Sequence, residues 1–291
     1  MTDPWLDWQP YSNWQPDLAS FKETLDGGQA FCWHPIDEHC YEGVVLDIPL
    51  RLRWTQPDQI LWSSTTGQRE KAEALLGHYL GKEEAYQRCY DILPWRSDPH
   101  LKRCIDAFPN LRILRQPAGE TLLGFLCSAT KQIVQIKEML QLVRDRFGNE
   151  LQTSHRQLPS WKDLTEVTEA ALRECKFGFR AANIHKTALL LDAQNGDLES
   201  ISEQSYAEAK TTLCNLPGVG EKVADCVLLF GYHKLEAFPV DTWIIKVMRR
   251  HYGLEDWNPK QIAHFGRTHF GSYAGLAQQF LFAWERNHGR K

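Results

Sequence analysis

The chain has 291 residues, 43% of them apolar and 24% charged, the make-up of a soluble globular protein long enough for one large or two ordinary cores. Its formal net charge of −4 excludes a protein that coats nucleic acid by bulk positive charge, while leaving room for a local basic face. No run reaches the roughly eighteen apolar residues of a membrane span, and the acidic start Met1-Thr2-Asp3-Pro4-Trp5-Leu6-Asp7 lacks the apolar stretch of a signal peptide. The expectation is a soluble protein that works inside the cell.

The first third reads as strand-rich. Gln29-Ala30-Phe31-Cys32-Trp33-His34 puts Phe31 and Trp33 on one face at period two, and Leu50-Arg51-Leu52-Arg53-Trp54 alternates likewise. Pro57-Asp58 and Thr66-Gly67 mark turns, and short helices are expected over 69–80 and near 99–107. From about Pro117 the spacing turns helical. Ile133, Ile136, Leu140, Val143 and Phe147 share one face of a helix over 131–147 that ends at Gly148. Further helices are expected over 163–175, 180–193, 205–214, 221–231, 241–252, 259–265 and 273–286, the third of these opened by a Ser205/Glu208 capping box. The fold class is therefore α+β: an N-terminal antiparallel β-sheet domain with a few helices over 1–116, then an all-helical domain over 117–291.

The eight cysteines include no C-x-x-C pair, so reduced thiols are expected. Cys32, His34, His39 and Cys40 have poor zinc spacing and fall on what reads as a β-hairpin. Charge is uneven along the chain. From Tyr206 to Lys291 there are eleven Lys/Arg against eight Asp/Glu, so any nucleic-acid face is expected there.

Leu216-Pro217-Gly218-Val219-Gly220-Glu221-Lys222 concentrates the chemistry. Two glycines around Val219 permit a tight turn, and N–H groups of the turn beside the positive end of the next helix suit a phosphate. An ordinary packing joint between two helices would use the same residues. Lys222 lies in the first helical turn and shares a face with Cys226 and Leu229. A helix N-terminus and partial burial both favour its neutral amine, a nucleophile able to form a Schiff base; a solvated surface lysine is the plainer reading. Asp241, in Phe238-Pro239-Val240-Asp241, is suited to cap the helix that follows, and a capping carboxylate can also face a neighbouring site.

Together, Leu216-Pro217-Gly218-Val219-Gly220-x-Lys222-Val223-Ala224-Asp225-Cys226 and Pro239-Val240-Asp241 resemble the helix-hairpin-helix, Gly-Pro-Asp DNA glycosylases, and within them the 8-oxoguanine DNA glycosylases. The likeness extends to Gly28-Gln29-Ala30-Phe31-x-Trp33, Phe125-x-Cys127-Ser128, Gly178-Phe179-Arg180-Ala181 and Tyr273-Ala274-Gly275-x-Ala277-Gln278-x-x-Leu281-Phe282. It implies base-excision repair of duplex DNA carrying oxidised guanine, by a monomer that needs no cofactor, in a bacterial cytoplasm at the nucleoid rather than in a nucleus.

The same resemblance implies roles. Lys222 attacks C1′ and forms an imine that can undergo β-elimination, while Asp241 stabilises charge on the sugar. Gly28 offers its carbonyl to the N7–H of the oxidised base, Gln278 takes the Watson–Crick edge, and Phe282 and Cys226 sandwich the ring. Taken alone, Gly28 is a turn residue, Phe282 a core aromatic and Cys226 an inert buried thiol. Gly218, Val219, Gly220, Phe179, Arg180 and Trp243 are implied to touch DNA, and the carbonyls of Cys214, Leu216 and Val219 to hold a monovalent cation. Departures from the family pattern fall at Thr130-Lys131-Gln132, Gln135, Phe179 and Trp243, around the orphaned partner base and one phosphate contact. Endonuclease III relatives carry an iron–sulfur cluster on four C-terminal cysteines, and no cysteine follows Cys226. An alkylated-base glycosylase generally lacks the lysine, and a non-catalytic DNA-binding relative would not need Lys222 with Asp241.

Overall fold

A computed structural model describes residues 4–82, 86–151, 155–193 and 198–289. Strands β1 (Gln9–Tyr11), β2 (His34–Asp37), β3 (Cys40–Val45), β4 (Ile48–Thr55) and β5 (Gln59–Ser64) form one antiparallel sheet in the order β1-β5-β4-β3-β2. Along β4, Leu50, Leu52 and Trp54 are buried while Arg51, Arg53 and Thr55 between them are partly exposed, the period-two pattern of a sheet with one covered face. Helices α1 (Leu18–Asp26) and α2 (Arg69–Tyr79) cover that face, sending Phe21, Leu25, Ala72 and Leu76 into the sheet core.

The other helices build a larger core. They are α3 (Tyr86–Ile92), α4 (Pro99–Ala107), α5 (Ala118–Leu126), α6 (Ile133–Phe147), α7 (Glu169–Glu174), α8 (Arg180–Ala193), α9 (Tyr206–Cys214), α10 (Glu221–Gly231), α11 (Thr242–Tyr252), α12 (Pro259–Phe270) and α13 (Ala274–His288). α5 and α10 pack along each other, α9 lies on α10, and α13 packs against α4, α11 and α12. The two cores are not separated by one cut in the chain. Buried residues between Tyr86 and Ile113 join the helical core, whereas Leu114 returns to the sheet core. The division at residue 116 is thus a proposal about which residues build the site, distinct from core membership.

Several expectations need correction. Residues 29–33 are irregular, and the strand starts at His34. Phe31 enters the helical core while Ala30, Cys32 and Trp33 enter the sheet core, so the segment is buried from both sides. Its polar groups find partners on both sides: the Gln29 side-chain amide donates to the Arg112 carbonyl and accepts from Leu114 N–H, and the Lys137 ammonium donates to the Trp33 carbonyl. The helix expected over 163–175 is broken, because Thr168 caps a fresh start at α7 by accepting from Ala171 N–H. α12 runs past Gly266 to Phe270. A Cβ on Gly266 would lie 2.5 Å from the Phe238 ring, so this glycine admits an aromatic and does not end the helix. α1, α3 and the strand β1 were not expected at all. Among the described residues, no helix is long and apolar enough to cross a membrane.

α13 approaches α10 closely at Gly275. A Cβ there would lie 2.3 Å from Leu229 Cδ1 and 2.8 Å from the Ala237 carbonyl oxygen, which is backbone and cannot retreat. Gly275→Ala should therefore destabilise the chain by about 1–3 kcal/mol, the usual cost of overpacking, measured as a lower urea midpoint.

Candidate active site at the hairpin

α9 and α10 are joined by the turn 215–220. Gly218 has φ +81°, and a Cβ on it would lie 2.5 Å from Asn183 Nδ2 of α8. Thr187, one turn along α8, donates to the Pro217 carbonyl at 3.3 Å. The turn is a packing joint against α8, and this does not displace the phosphate reading. Val219 N–H is consumed by the Leu216 carbonyl at 3.1 Å, so Val219 offers no free donor. By contrast α10 begins at Gly220 without a side-chain cap, whereas α9, α11 and α12 are capped by Ser205, Asp241 and Asn258. The first-turn N–H groups of α10 are the ones left for an outside acceptor, and open space surrounds Gly220.

Lys222 projects from that first turn to the far end of α5. Its Nζ donates to Ser128 Oγ at 3.2 Å and sits 5.1 Å from the centre of the Phe125 ring. The Ser128 hydroxyl proton is committed to the Phe125 carbonyl at 2.7 Å, so Ser128 can only accept from the amine. One turn on, Cys226 is buried, and burial pushes its thiol up to about 12 although the Lys222 ammonium beside it opposes the rise. The thiol stays neutral and offers no competing thiolate. Leu229, on the same face, packs against Gly275 and so faces α10 toward α13.

Asp241 is both cap and charge. Its Oδ1 accepts from Ile244 N–H at 2.8 Å. Burial raises its carboxyl above the ordinary aspartate range; the Ile244 N–H and the Lys222 ammonium pull the other way and do not cancel it. The amine and the carboxylate thus share one low-dielectric corner.

The base-side residues come together from distant segments. Gly28 has φ +103°, and a Cβ on it would lie 2.8 Å from Ile133 Cδ1 and 3.9 Å from Phe282 Cε1. Only a glycine fits between α6 and α13 here. Gln278, one turn before Phe282, is 4% exposed, and its Oε1 has no partner among the described residues. A buried acceptor left open on a wall of this kind is a ready ligand contact. On the outer side, Phe179 is 61% exposed and Trp243 lies 4.7 Å beneath the Lys246 ammonium. Arg180 departs from its expected outward role. It is buried, donates to the Ala129 carbonyl and to Thr130 Oγ1 at 3.1 Å, and stacks 4.3 Å over Phe179. In this conformation it braces the loop after α5 and stacks on the exposed Phe179 ring. Gln135 is likewise occupied, accepting from Gln132 N–H in a capping box.

The sequence reading assigned no role to Ser128, and to Ile133 only a place on the apolar face of its helix. Ser128 stood inside a quoted motif, and only the 94-residue contact with Lys222 reveals its use.

Comparison with known proteins agrees with this geometry. Residues 15–122 match the family described as 8-oxoguanine DNA glycosylase, N-terminal domain, and residues 123–268 match the HhH-GPD superfamily of base excision DNA repair proteins. The chain belongs to the 8-oxoguanine DNA glycosylase family. It is 31% identical over 281 residues to the N-glycosylase/DNA lyase OGG1 of Arabidopsis thaliana, covering 90% of this chain and 76% of that one. It is also 31% identical over 225 residues to a probable N-glycosylase/DNA lyase of Methanothermobacter thermautotrophicus, covering 69% and 70%. The 8-oxoguanine glycosylase/lyase of Clostridium acetobutylicum, solved with double-stranded DNA containing cytosine opposite 8-oxoG, superposes with a TM-score of 0.87 at 29% identity over 99% of this chain and 100% of that one.

Asp241→Asn separates the two uses of this residue. Asparagine caps as well as aspartate, so α11 should persist. Because the folded carboxyl titrates above its unfolded value, its ionisation opposes folding, and native stability falls as pH rises through that window. The variant should melt no lower than the parent at neutral pH, with any advantage vanishing below about pH 4, while glycosylase turnover falls on the order of a hundredfold. Calorimetry and single-turnover kinetics read the two effects separately.

Proposed function

We propose that the chain is a DNA glycosylase with an associated abasic-site lyase activity, which removes 8-oxoguanine from duplex DNA through an imine on Lys222. One observation carries this reading: the Lys222 amine, held by Ser128, shares its corner with Asp241, close to the helix that bears Gln278 and Phe282 against Gly28.

The chemistry follows from these groups. The damaged nucleotide leaves the stack so that its base enters the wall formed by Gly28, Gln278, Phe282 and Cys226. The Gly28 carbonyl accepts the N7–H that oxidised guanine has and guanine lacks. Guanine would set a lone pair against that carbonyl, a difference of about 1–3 kcal/mol from one buried unsatisfied group. Nζ of Lys222, as the free amine, attacks C1′. The C1′–N9 bond breaks, its electron pair leaves with the base, and the base takes up a proton. The Asp241 carboxylate lowers the energy of the positive charge that develops on the sugar. The sugar ring then opens to the imine, and loss of a C2′ proton expels the 3′ phosphate.

The DNA-side assignments are part of the same proposal. Gly218 shapes the hairpin whose helix start meets a phosphate, Gly220 leaves room for it, and Phe179 fills the gap left by the base. A monovalent cation on the carbonyls of Cys214, Leu216 and Val219 fits the donor set, since these neutral oxygens lie at the end of α9 and in the turn. It would supply positive charge toward a backbone phosphate. The protein acts as a monomer at a bacterial nucleoid in this reading.

Borohydride trapping on duplexes carrying 8-oxoguanine opposite each of the four bases tests the proposal. Wild-type protein should give a covalent adduct, and Lys222→Gln none. Trapping on other oxidised bases with none on 8-oxoguanine would sink the substrate assignment. In the same assay Ser128→Ala should slow adduct formation about tenfold, since a mispositioned nucleophile loses rate steeply; an unchanged rate would remove Ser128 from the machinery.

A further inference from the structure

Two ion pairs, each with one partner buried and the other partly exposed, converge on the short helix that precedes Gly28. Glu23, in α1, accepts from Arg286 Nη2 of α13 at 2.5 Å and from Asn287 Nδ2 at 3.1 Å, and is itself 3% exposed. Asp26, the last residue of α1, accepts from Lys137 of α6, a buried lysine whose ammonium also holds the Trp33 carbonyl. The helices involved are the two that touch Gly28. On α6 the clamp residue lies four positions beyond Ile133, and on α13 four positions beyond Phe282, so each clamp and each wall share a helix face. Gly27 closes α1 so tightly that a Cβ on it would lie 2.1 Å from the Glu23 carbonyl oxygen. Little slack separates the clamps from the Gly28 carbonyl.

We propose that Glu23–Arg286 and Asp26–Lys137 are a double clamp that sets the gap between Gly28 and Phe282, making these four side chains positioning residues for lesion recognition. None of them touches the base or the sugar. They act through the backbone of α1, which carries the Gly28 carbonyl to the depth where it meets N7–H. This rests on the reading of Gly28 and Phe282 as the walls of the 8-oxoguanine site. The clamps have no part in holding Lys222 or Asp241.

That separation provides the test. Release of 8-oxoguanine needs the base walls, whereas cleavage at a pre-formed abasic site needs only the amine and the hairpin. In single-turnover assays on matched duplexes, Arg286→Met and Glu23→Gln should lower base release about ten- to hundredfold, as expected for misplacement on the order of 1 Å, with abasic-site cleavage unchanged. Should loss of the charge prevent folding, Arg286→Lys carries the test: it leaves a positive charge near Glu23 and loses the planar fork, so the selective defect should be smaller and in the same direction. Parallel loss of both activities, or loss of neither, in the folded lysine variant overturns the clamp. Wild-type protein that cleaves abasic sites but releases no 8-oxoguanine overturns the base-site reading and the clamp with it.

Discussion

The packing of the turn 215–220 onto α8 is the constraint from which the site follows. With Asn183 pressed on Gly218 and Thr187 bonded to Pro217, the start of α10 has one position relative to the helical core. Lys222, two residues past the turn, is thereby aimed at the end of α5. Unlike α9, α11 and α12, α10 begins without a side-chain cap. The donors that a cap would have satisfied remain beside the nucleophile. The proposed grip on the DNA backbone and the proposed delivery of the amine both follow from the same helix start.

Electrostatics sort the groups in that corner. Burial raises both the Cys226 thiol and the Asp241 carboxyl, and the Lys222 ammonium opposes both without cancelling either. The result differs because the two start from different ordinary values. A thiol pushed to about 12 stays protonated at any working pH. The carboxyl rises from the much lower aspartate range. One environment therefore holds an inert neutral thiol and a carboxyl raised above its ordinary range, on the proposed base side and sugar side respectively.

What was legible in the sequence was local. The Ser205/Glu208 box and the Asp241 cap announce themselves through short-range chemistry and occur as read, while of the two hairpin glycines Gly218 takes a left-handed angle and Gly220, at φ −94°, does not. The alternation in β4 and the spacing in α6 also carry their own signal. α5 begins where the helical region was expected to begin, yet has no apolar stripe, because Thr121 through Leu126 are buried on every side. The segment 29–33 misleads for the same reason: it lies between two cores, so apolar residues follow one another without a period. Arg180 was expected at the DNA only through the family resemblance, and in this structure it is buried. Its burial depends on the carbonyl of Ala129, some fifty residues away, which no local pattern encodes.

A base wall at the junction of the two cores, as proposed, has a physical rationale. A pocket inside one core would have to be held open against its own packing. A pocket between two cores is held by whatever fixes one core to the other, and here Phe31 and Trp33, two residues apart, are anchored in different ones. Gly28 sits just ahead of that crossing. Its carbonyl can therefore be positioned by the sheet-side helix α1, while Gln278 and Phe282 are positioned by α13 in the helical core. Discrimination of a single N–H on a base needs an error in hydrogen-bond length of only a few tenths of an ångström. An apolar interface between two cores tolerates sliding on that scale, since dispersion contacts are shallow and undirected. Ion pairs with hydrogen-bond geometry resist it, which explains why charged groups as buried as Glu23 and Lys137 stand where hydrophobic residues would have filled the space at least as well.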